Sequence, residues 1–417
     1  MARRFAHPDV ISRRVENKTI FQGERRMTQL IHEEMKDDLL SRGFSRRQMM
    51  RTALLFGGAA ATALSLNTEL AFAQDEDAAA KNLVRIGSNE CWTGPMAPGL
   101  KAGMAAFTNS NRYSPNGEAE ALVKAIATME NVPEDHVVTY AGSGEILSRT
   151  VVAFCSPTKG FVQADPSYDS PQRVAKAIGV PISYVPLTSD YRHDVKAMLA
   201  ANPNAGVYYV VNPNNPTGTM TPMAEIEWLV DNKPAGSVVL LDEAYIHWSK
   251  DYPNNTATHL VKAGKDVVLT RTFSKVFGMA GARVGFLIAR PDLAKKVGLY
   301  DRGERPSIPT TACATASLTQ TALMNARRKE MWDNRAMTVD FLTKRGLKVI
   351  GPSEGNMIMV DWKTKSAKDM GAIYKANGVQ IAGPRWPSWP NVGRISIGNK
   401  ADMEAFMNAT GKVLAQI

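Results

Sequence analysis

The chain has 417 residues, 44% apolar and 22% charged, which is the composition of an ordinary folded protein and excludes a collagenous or globally disordered one. That length exceeds the usual single domain, so two domains or one large unit with an appendage are expected. The net charge of +10 is weakly informative: residues 1–73 hold 12 Lys/Arg against 8 Asp/Glu, the remainder is mildly basic, and no basic stripe is interleaved with aromatics, so nucleic-acid binding is not expected.

The first organised signal lies at residues 45–73. Ser45-Arg46-Arg47-Gln48-Met49-Met50 is followed by an apolar small-residue run from Ala53 to Leu66 and then by Ala71-Phe72-Ala73. A charged segment, an apolar segment and an Ala-x-Ala site in this order make a twin-arginine signal, handled by the twin-arginine export machinery. Cleavage is expected after Ala73, giving a periplasmic mature chain from Gln74. A membrane anchor is the competing reading, but the apolar run is well short of the roughly 20 residues that span a bilayer. The 44 residues before the signal are polar and lack a sustained period; Met27 and Met35 are alternative starts, and this stretch is left out of the expected fold.

Residues 74–110 are expected to form an arm joining the smaller domain. From about residue 115 to 290, short β-rich runs alternate with helical stretches, the pattern of a mainly parallel sheet covered by helices on both faces. Seven strands are expected: Val137–Tyr140, Gly160–Ala164, Ile182–Val185, Gly206–Val211, Ser237–Leu241, Asp266–Thr270 and Val284–Ala289. Several are continuous apolar runs, as doubly covered strands should be. Beyond residue 310 a long helical stretch reaches residue 345, followed by strand-like runs at Met357–Asp361, Gln380–Ala382 and Arg394–Ile397 and a terminal helix. The expected layout is a large α/β domain over 111–300 and a smaller α+β domain over 301–417. Cys91, Cys155 and Cys313 have neither CxxC spacing nor His partners, so no metal site and no disulfide framework are expected.

Ligands of open parallel sheets bind beyond the carboxyl ends of the strands, so the residues after each strand carry the chemistry. After the first comes Ala141-Gly142-Ser143-Gly144-Glu145, a turn whose amides at a helix start can hold a phosphate. Leu147 stands where a dinucleotide fingerprint needs its third glycine. After Gly206–Val211 comes Asn212-Pro213-Asn214-Asn215-Pro216-Thr217-Gly218, either an ordinary Asn/Pro/Gly turn or a set of amide donors. After Ser237–Leu241 comes Asp242-Glu243-Ala244-Tyr245, whose buried acid needs a cationic partner such as a protonated pyridine nitrogen. The last strands bracket Ser274-Lys275-Val276-Phe277-Gly278-Met279-Ala280-Gly281-Ala282-Arg283.

In that order and at those intervals, these motifs resemble the fold-type I aminotransferases, which use pyridoxal 5′-phosphate (PLP), and most of all histidinol-phosphate aminotransferase and its relatives. The likeness runs from about Gly87 to the C-terminus. It implies that Lys275 holds the cofactor as a Schiff base and shuttles the proton, that Asp242 pairs with the ring nitrogen, and that Asn215 and Tyr245 bond its phenolic oxygen. It further implies that Ser143, Gly144, Thr272, Ser274 and Arg283 hold the phosphate and that Tyr168 stacks on the ring. Tyr113, in Asn111-Arg112-Tyr113, is implied to complete the site of a neighbouring subunit in a homodimer. Arg394, with Asn89 nearby, is implied to clamp the substrate's anionic group.

Two departures touch the substrate side. Thr93 replaces a tyrosine of the family's early Asn-Glu-Asn-Pro-Tyr-Gly-Pro segment, and Ala382 stands where histidinol-phosphate enzymes usually carry an arginine. The expected reaction is amino transfer between an amino acid, or an amine derived from one, and a 2-oxo acid such as 2-oxoglutarate. A decarboxylase or C–S/C–O lyase on the same scaffold is the nearest alternative, and a non-catalytic periplasmic binding protein a more distant one.

Overall fold

The computed structural model describes residues 34–56, 83–300 and 305–414. The Ala-x-Ala cleavage site, Gln74 and all but the start of the apolar run lie outside the described residues.

Twelve strands are present among the described residues: β1 Val84–Ile86, β2 Val137–Tyr140, β3 Gly160–Asp165, β4 Ile182–Pro186, β5 Ala205–Val211, β6 Val238–Asp242, β7 Val267–Thr272, β8 Gly285–Ala289, β9 Lys348–Ile350, β10 Met357–Asp361, β11 Val379–Ile381 and β12 Val392–Ser396. Seven form one sheet in the order β2-β8-β7-β6-β5-β3-β4, with β8 the one strand running against its neighbours. Helices cover both faces, so the central strands bury every residue; Ala205–Val211 and Val238–Asp242 have no exposed position.

Register brings the chemistry to one edge. Val211 pairs with Asp242, Asp242 with Thr270, Thr272 with Gly285, and Gly285 with Tyr140. The turns after β2, β5, β6 and β7 therefore open on a common crevice at the carboxyl ends of the parallel strands.

The helical stretch expected from about 310 to 345 is two helices, Ile308–Leu318 and Thr321–Thr343, broken at Thr319 and Gln320. The second leads into a three-stranded antiparallel sheet, β12-β10-β9, flanked by helices Ala367–Ala376 and Lys400–Leu414. Strand β1 pairs in parallel with β11 in a separate two-stranded sheet, so the chain ahead of helix Ala97–Phe107 is tied to the C-terminal part of the chain. Residues 34–44, left out of the expected fold, and residues 45–56, read as the start of the signal, are helical on either side of Arg42–Ser45, and Leu39 and Phe44 enter the core beneath the large sheet.

Candidate active site

Helix Ser143–Phe154 begins at the crevice. Its N-cap, Gly142, has φ 93°, a conformation that favours glycine, and a Cβ there would lie 2.9 Å from the Arg283 guanidinium carbon. The first amides of the helix, those of Ser143 and Gly144, have no carbonyl one turn back to bond, and the helix dipole adds positive potential. Thr272 and Ser274 face the same point: Thr272 Oγ1 donates to Ser274 Oγ at 2.8 Å, and Arg283 Nη1 donates to that oxygen at 3.4 Å. Arg283 has φ 52° and Asn89 has φ 54°, so two non-glycine residues with left-handed backbone sit at this site.

The other end of the crevice is built around Asp242, at the carboxyl end of β6 and 2% exposed. Tyr209 OH donates to Asp242 Oδ2 at 2.9 Å and the Ala244 amide donates to Oδ1 at 3.1 Å. Burial pushes the Asp242 carboxyl up to about 6, while these two donors and the Lys275 charge pull it down. Lys275 Nζ donates to Asn89 O at 3.2 Å and sits 5.1 Å from the centre of the Tyr245 ring. The Tyr245 hydroxyl accepts from Asn89 Nδ2 at 3.1 Å and from Asn215 Nδ2 at 3.3 Å.

The three asparagines of Asn212–Gly218 divide their work. Asn212 bonds the Thr221 backbone in both directions, and Asn214 donates to Pro166 O and Thr217 and accepts from Ser167, which welds the turn to the one after β3. Asn215 faces inward, and its Oδ1 accepts from Arg394 Nη1 at 2.8 Å. Arg394 also donates to Gly87 O at 2.6 Å and lies 5.6 Å from the Trp386 ring centre. It is 3% exposed, its Nε has no partner, and burial lowers its pKa to about 10, which leaves it protonated at neutral pH. Among the described residues no carboxylate pairs with it, so a buried cation awaits an anion.

These parts fit a flat ring carrying a phosphate at one end and a protonated nitrogen at the other. Amides, hydroxyls and Arg283 form an anion cradle; Asp242 is a buried carboxylate; an amine and a phenol with an amide donor lie between. Such a constellation fits a PLP-dependent enzyme, in which Lys275 would be the cofactor-bearing lysine. The model of the aminotransferase class I and II family matches residues 81–409, and the chain belongs to that family. It is 29% identical over 339 residues to histidinol-phosphate aminotransferase of Moorella thermoacetica, covering 80% of this chain and 86% of that one. It is 35% identical over 333 residues to aromatic amino acid aminotransferase of Rhodococcus erythropolis, covering 78% and 88%. The solved histidinol-phosphate aminotransferase of Sinorhizobium meliloti, in complex with PLP, shares the fold with a TM-score of 0.71 at 24% identity, over 80% of this chain and 90% of that one.

PLP is thus the cofactor, and the reaction is amino transfer between an amino donor and a 2-oxo acid. Bound here, PLP supplies an electron sink for charge developing at the substrate's α-carbon. Asp242 would keep the ring nitrogen protonated, Asn215 and Tyr245 would fix the phenolic edge, and the Lys275 amine would take and return the α-proton. Ser143, Gly144, Thr272, Ser274 and Arg283 would hold the group by its phosphate.

Of the residues expected from sequence, Asn89, Ser143, Gly144, Asn215, Asp242, Tyr245, Thr272, Ser274, Lys275, Arg283 and Arg394 converge on this crevice. Tyr168 is half-buried beside them, close enough that the Tyr245 and Asp242 charges raise its pKa after burial has done so. Tyr113 is not brought to the crevice within one chain; it is wholly exposed. Sequence reasoning missed Tyr209, a strand residue indistinguishable by pattern from its apolar neighbours. It also missed Ser396 and Met357, which hold Asn89 by bonds of 2.7 and 2.9 Å.

Proposed function

We propose that this aminotransferase takes a free amino acid as donor, binds its α-carboxylate on Arg394 and passes the amino group to a 2-oxo acid such as 2-oxoglutarate, in the periplasm and as a homodimer. The observation that carries the donor class is the buried Arg394 guanidinium, which among the described residues has no carboxylate partner and so offers a site for one carboxylate. A donor phosphate would call for a second cation inside the crevice; the position where histidinol-phosphate enzymes usually carry an arginine is the buried apolar Ala382, and Arg385, whose charge reaches Arg394, is exposed. Trp386 beside Arg394 offers an aromatic face, which favours an aromatic donor. Rhodococcus relatives named aromatic amino acid aminotransferases agree with that preference.

Export by the twin-arginine route, with cleavage after Ala73, is supported by the order Arg46-Arg47, apolar run, Ala-x-Ala. The homodimer is supported by helix Ala97–Phe107, which exposes Leu100, Met104 and Phe107 close in sequence to the exposed Tyr113.

The test is to incubate the purified chain and its Lys275→Ala variant with PLP, 2-oxoglutarate and a donor panel of tyrosine, phenylalanine, aspartate and histidinol phosphate. Glutamate should form fastest from the aromatic amino acids, and the variant should be slower by roughly a thousandfold or more. Histidinol phosphate turned over well ahead of every free amino acid would overturn the donor assignment.

A further inference from the structure

Residues 34–56 precede the expected mature start, yet they are built into the large domain. Leu39 and Phe44, 1% and 2% exposed, share a core cluster with Ile146, Phe154, Ile178 and Tyr300. Arg42 closes the far end of the helix whose start is the phosphate cradle: its Nη2 donates to Val152 O at 2.6 Å and to Cys155 O. Those carbonyls lie where a helix runs out of its own donors. Arg42 Nη1 donates to Asp38 at 2.8 Å and to the Tyr300 hydroxyl at 3.0 Å, and Tyr300 in turn donates to Asp38.

The segment then turns at Gly43 and starts helix Arg46–Phe56 with a reciprocal cap. Ser45 Oγ accepts from the Gln48 amide at 3.3 Å, and Gln48 Oε1 accepts from the Ser45 amide at 2.9 Å. Gln48 lies over Gly179, where a Cβ would come within 2.7 Å of its Nε2, and Thr52 is fully buried against the domain. Arg46 and Arg47, in the first turn, face solvent.

We propose that residues 34–52 are an intramolecular clasp by which the folded enzyme presents its own export signal, holding the two adjacent guanidinium groups outward for an acidic receptor surface. The receptor reading rests on the export reading above; the docking does not. The acceptors that Arg42 uses on the enzyme come together only once helix Ser143–Phe154 has formed and Tyr300 has packed against it. An unfolded chain carries the same arginine pair but lacks the seat that fixes it. The signal is thereby tied to the native state of the domain that carries the cofactor.

The test uses the full chain loaded with PLP and two substitutions remote from the arginine pair, Tyr300→Phe on the enzyme and Leu39→Ser in the clasp. Amide hydrogen exchange over 34–52 should be slow in the wild type and at least tenfold faster in each variant, with the bound-cofactor absorbance unchanged. Twin-arginine-dependent export of each variant should fall several-fold. Free-peptide exchange over 34–52 in the wild type would overturn the clasp. Loss of protection with export unchanged or raised would overturn its presenting role. Arg46→Lys with Arg47→Lys exported as well as wild type would overturn the export reading itself, whatever the exchange shows.

Discussion

A carboxylate at the end of a central parallel strand has no water to solvate it, and Asp242 meets that cost with two hydrogen-bond donors and a nearby ammonium. The balance leaves its pKa at about 6, above the ordinary 3.8. Without cofactor the native state therefore holds this proton to a higher pH than the unfolded chain does. Stability falls as pH rises from about 4 to about 6 and stays lower above that, by about 3 kcal/mol. A protonated ring nitrogen would relieve this cost, which would couple cofactor binding to stability. Asp242→Asn should raise the melting temperature of the cofactor-free protein by a few degrees at pH 8, leave it unchanged near pH 4, and lower amino transfer by about a hundredfold or more. Calorimetry at the two pH values checks the sign, and a variant melting below wild type at pH 8 would contradict it. At this scale the sequence was most legible where a motif names the residue type and least legible where roles divide among like residues. Nothing in Asn212-Pro213-Asn214-Asn215 alone says that two asparagines hold backbone and one faces Tyr245.

The strands and helices behind the crevice are held in register by a buried ion triad. Arg271, in β7, lies between Glu243, just past β6, and Glu130, the last residue of helix Glu118–Glu130; Arg271 Nη2 is 2.7 Å from Glu243 Oε2, and its Nη1 pairs with Glu130. A glutamate at a helix C-terminus is unfavourable by itself, so the guanidinium accounts for its place. Arg271→Met would leave two carboxylates buried without a counter-ion, at a cost of about 3–5 kcal/mol. Burial already raises the Glu243 pKa, and removing Arg271 raises it further, so the deficit should be larger at pH 7 than at pH 5, where protonation relieves it. Urea midpoints at both pH values test this, since a packing defect would be independent of pH. Further substitution of Glu130→Gln and Glu243→Gln should recover most of the loss. This triad was invisible in sequence, because its members come from three elements far apart in the chain. The seven large-sheet strands were legible to within two residues; burial on both faces makes the central ones, Ala205–Val211 and Val238–Asp242, nearly uninterrupted apolar runs. Val84-Arg85-Ile86 and Lys348-Val349-Ile350 were not, being three-residue strands at sheet edges with a charged residue each.

For the molecule as a whole, one chain contains a cofactor crevice yet leaves Tyr113 in solvent beside an apolar helix face. Both facts have one explanation if two copies pair through helix Ala97–Phe107 and each lends its Tyr113 to the other's phosphate cradle. A C2 arrangement makes such an exchange reciprocal. Tyr113→Ala should then weaken PLP retention while leaving Lys275 chemistry intact, and Lys275→Ala should abolish chemistry while leaving Tyr113 to be lent. Neither variant alone should be active at limiting PLP. Dissociated, mixed in equal amounts and reassociated, half of the dimers carry one of each, and in those dimers one crevice of two combines an intact Lys275 with an intact Tyr113. Activity should therefore return to about a quarter of the wild-type value. A mixture as inactive as its components would place Tyr113 in its own subunit or outside the site, because no pairing of chains could then assemble a complete crevice. Met104→Asp with Phe107→Asp supplies the complementary arm: two charges on the exposed apolar face should give monomers by light scattering and remove the gain on mixing, which ties the regained activity to this surface.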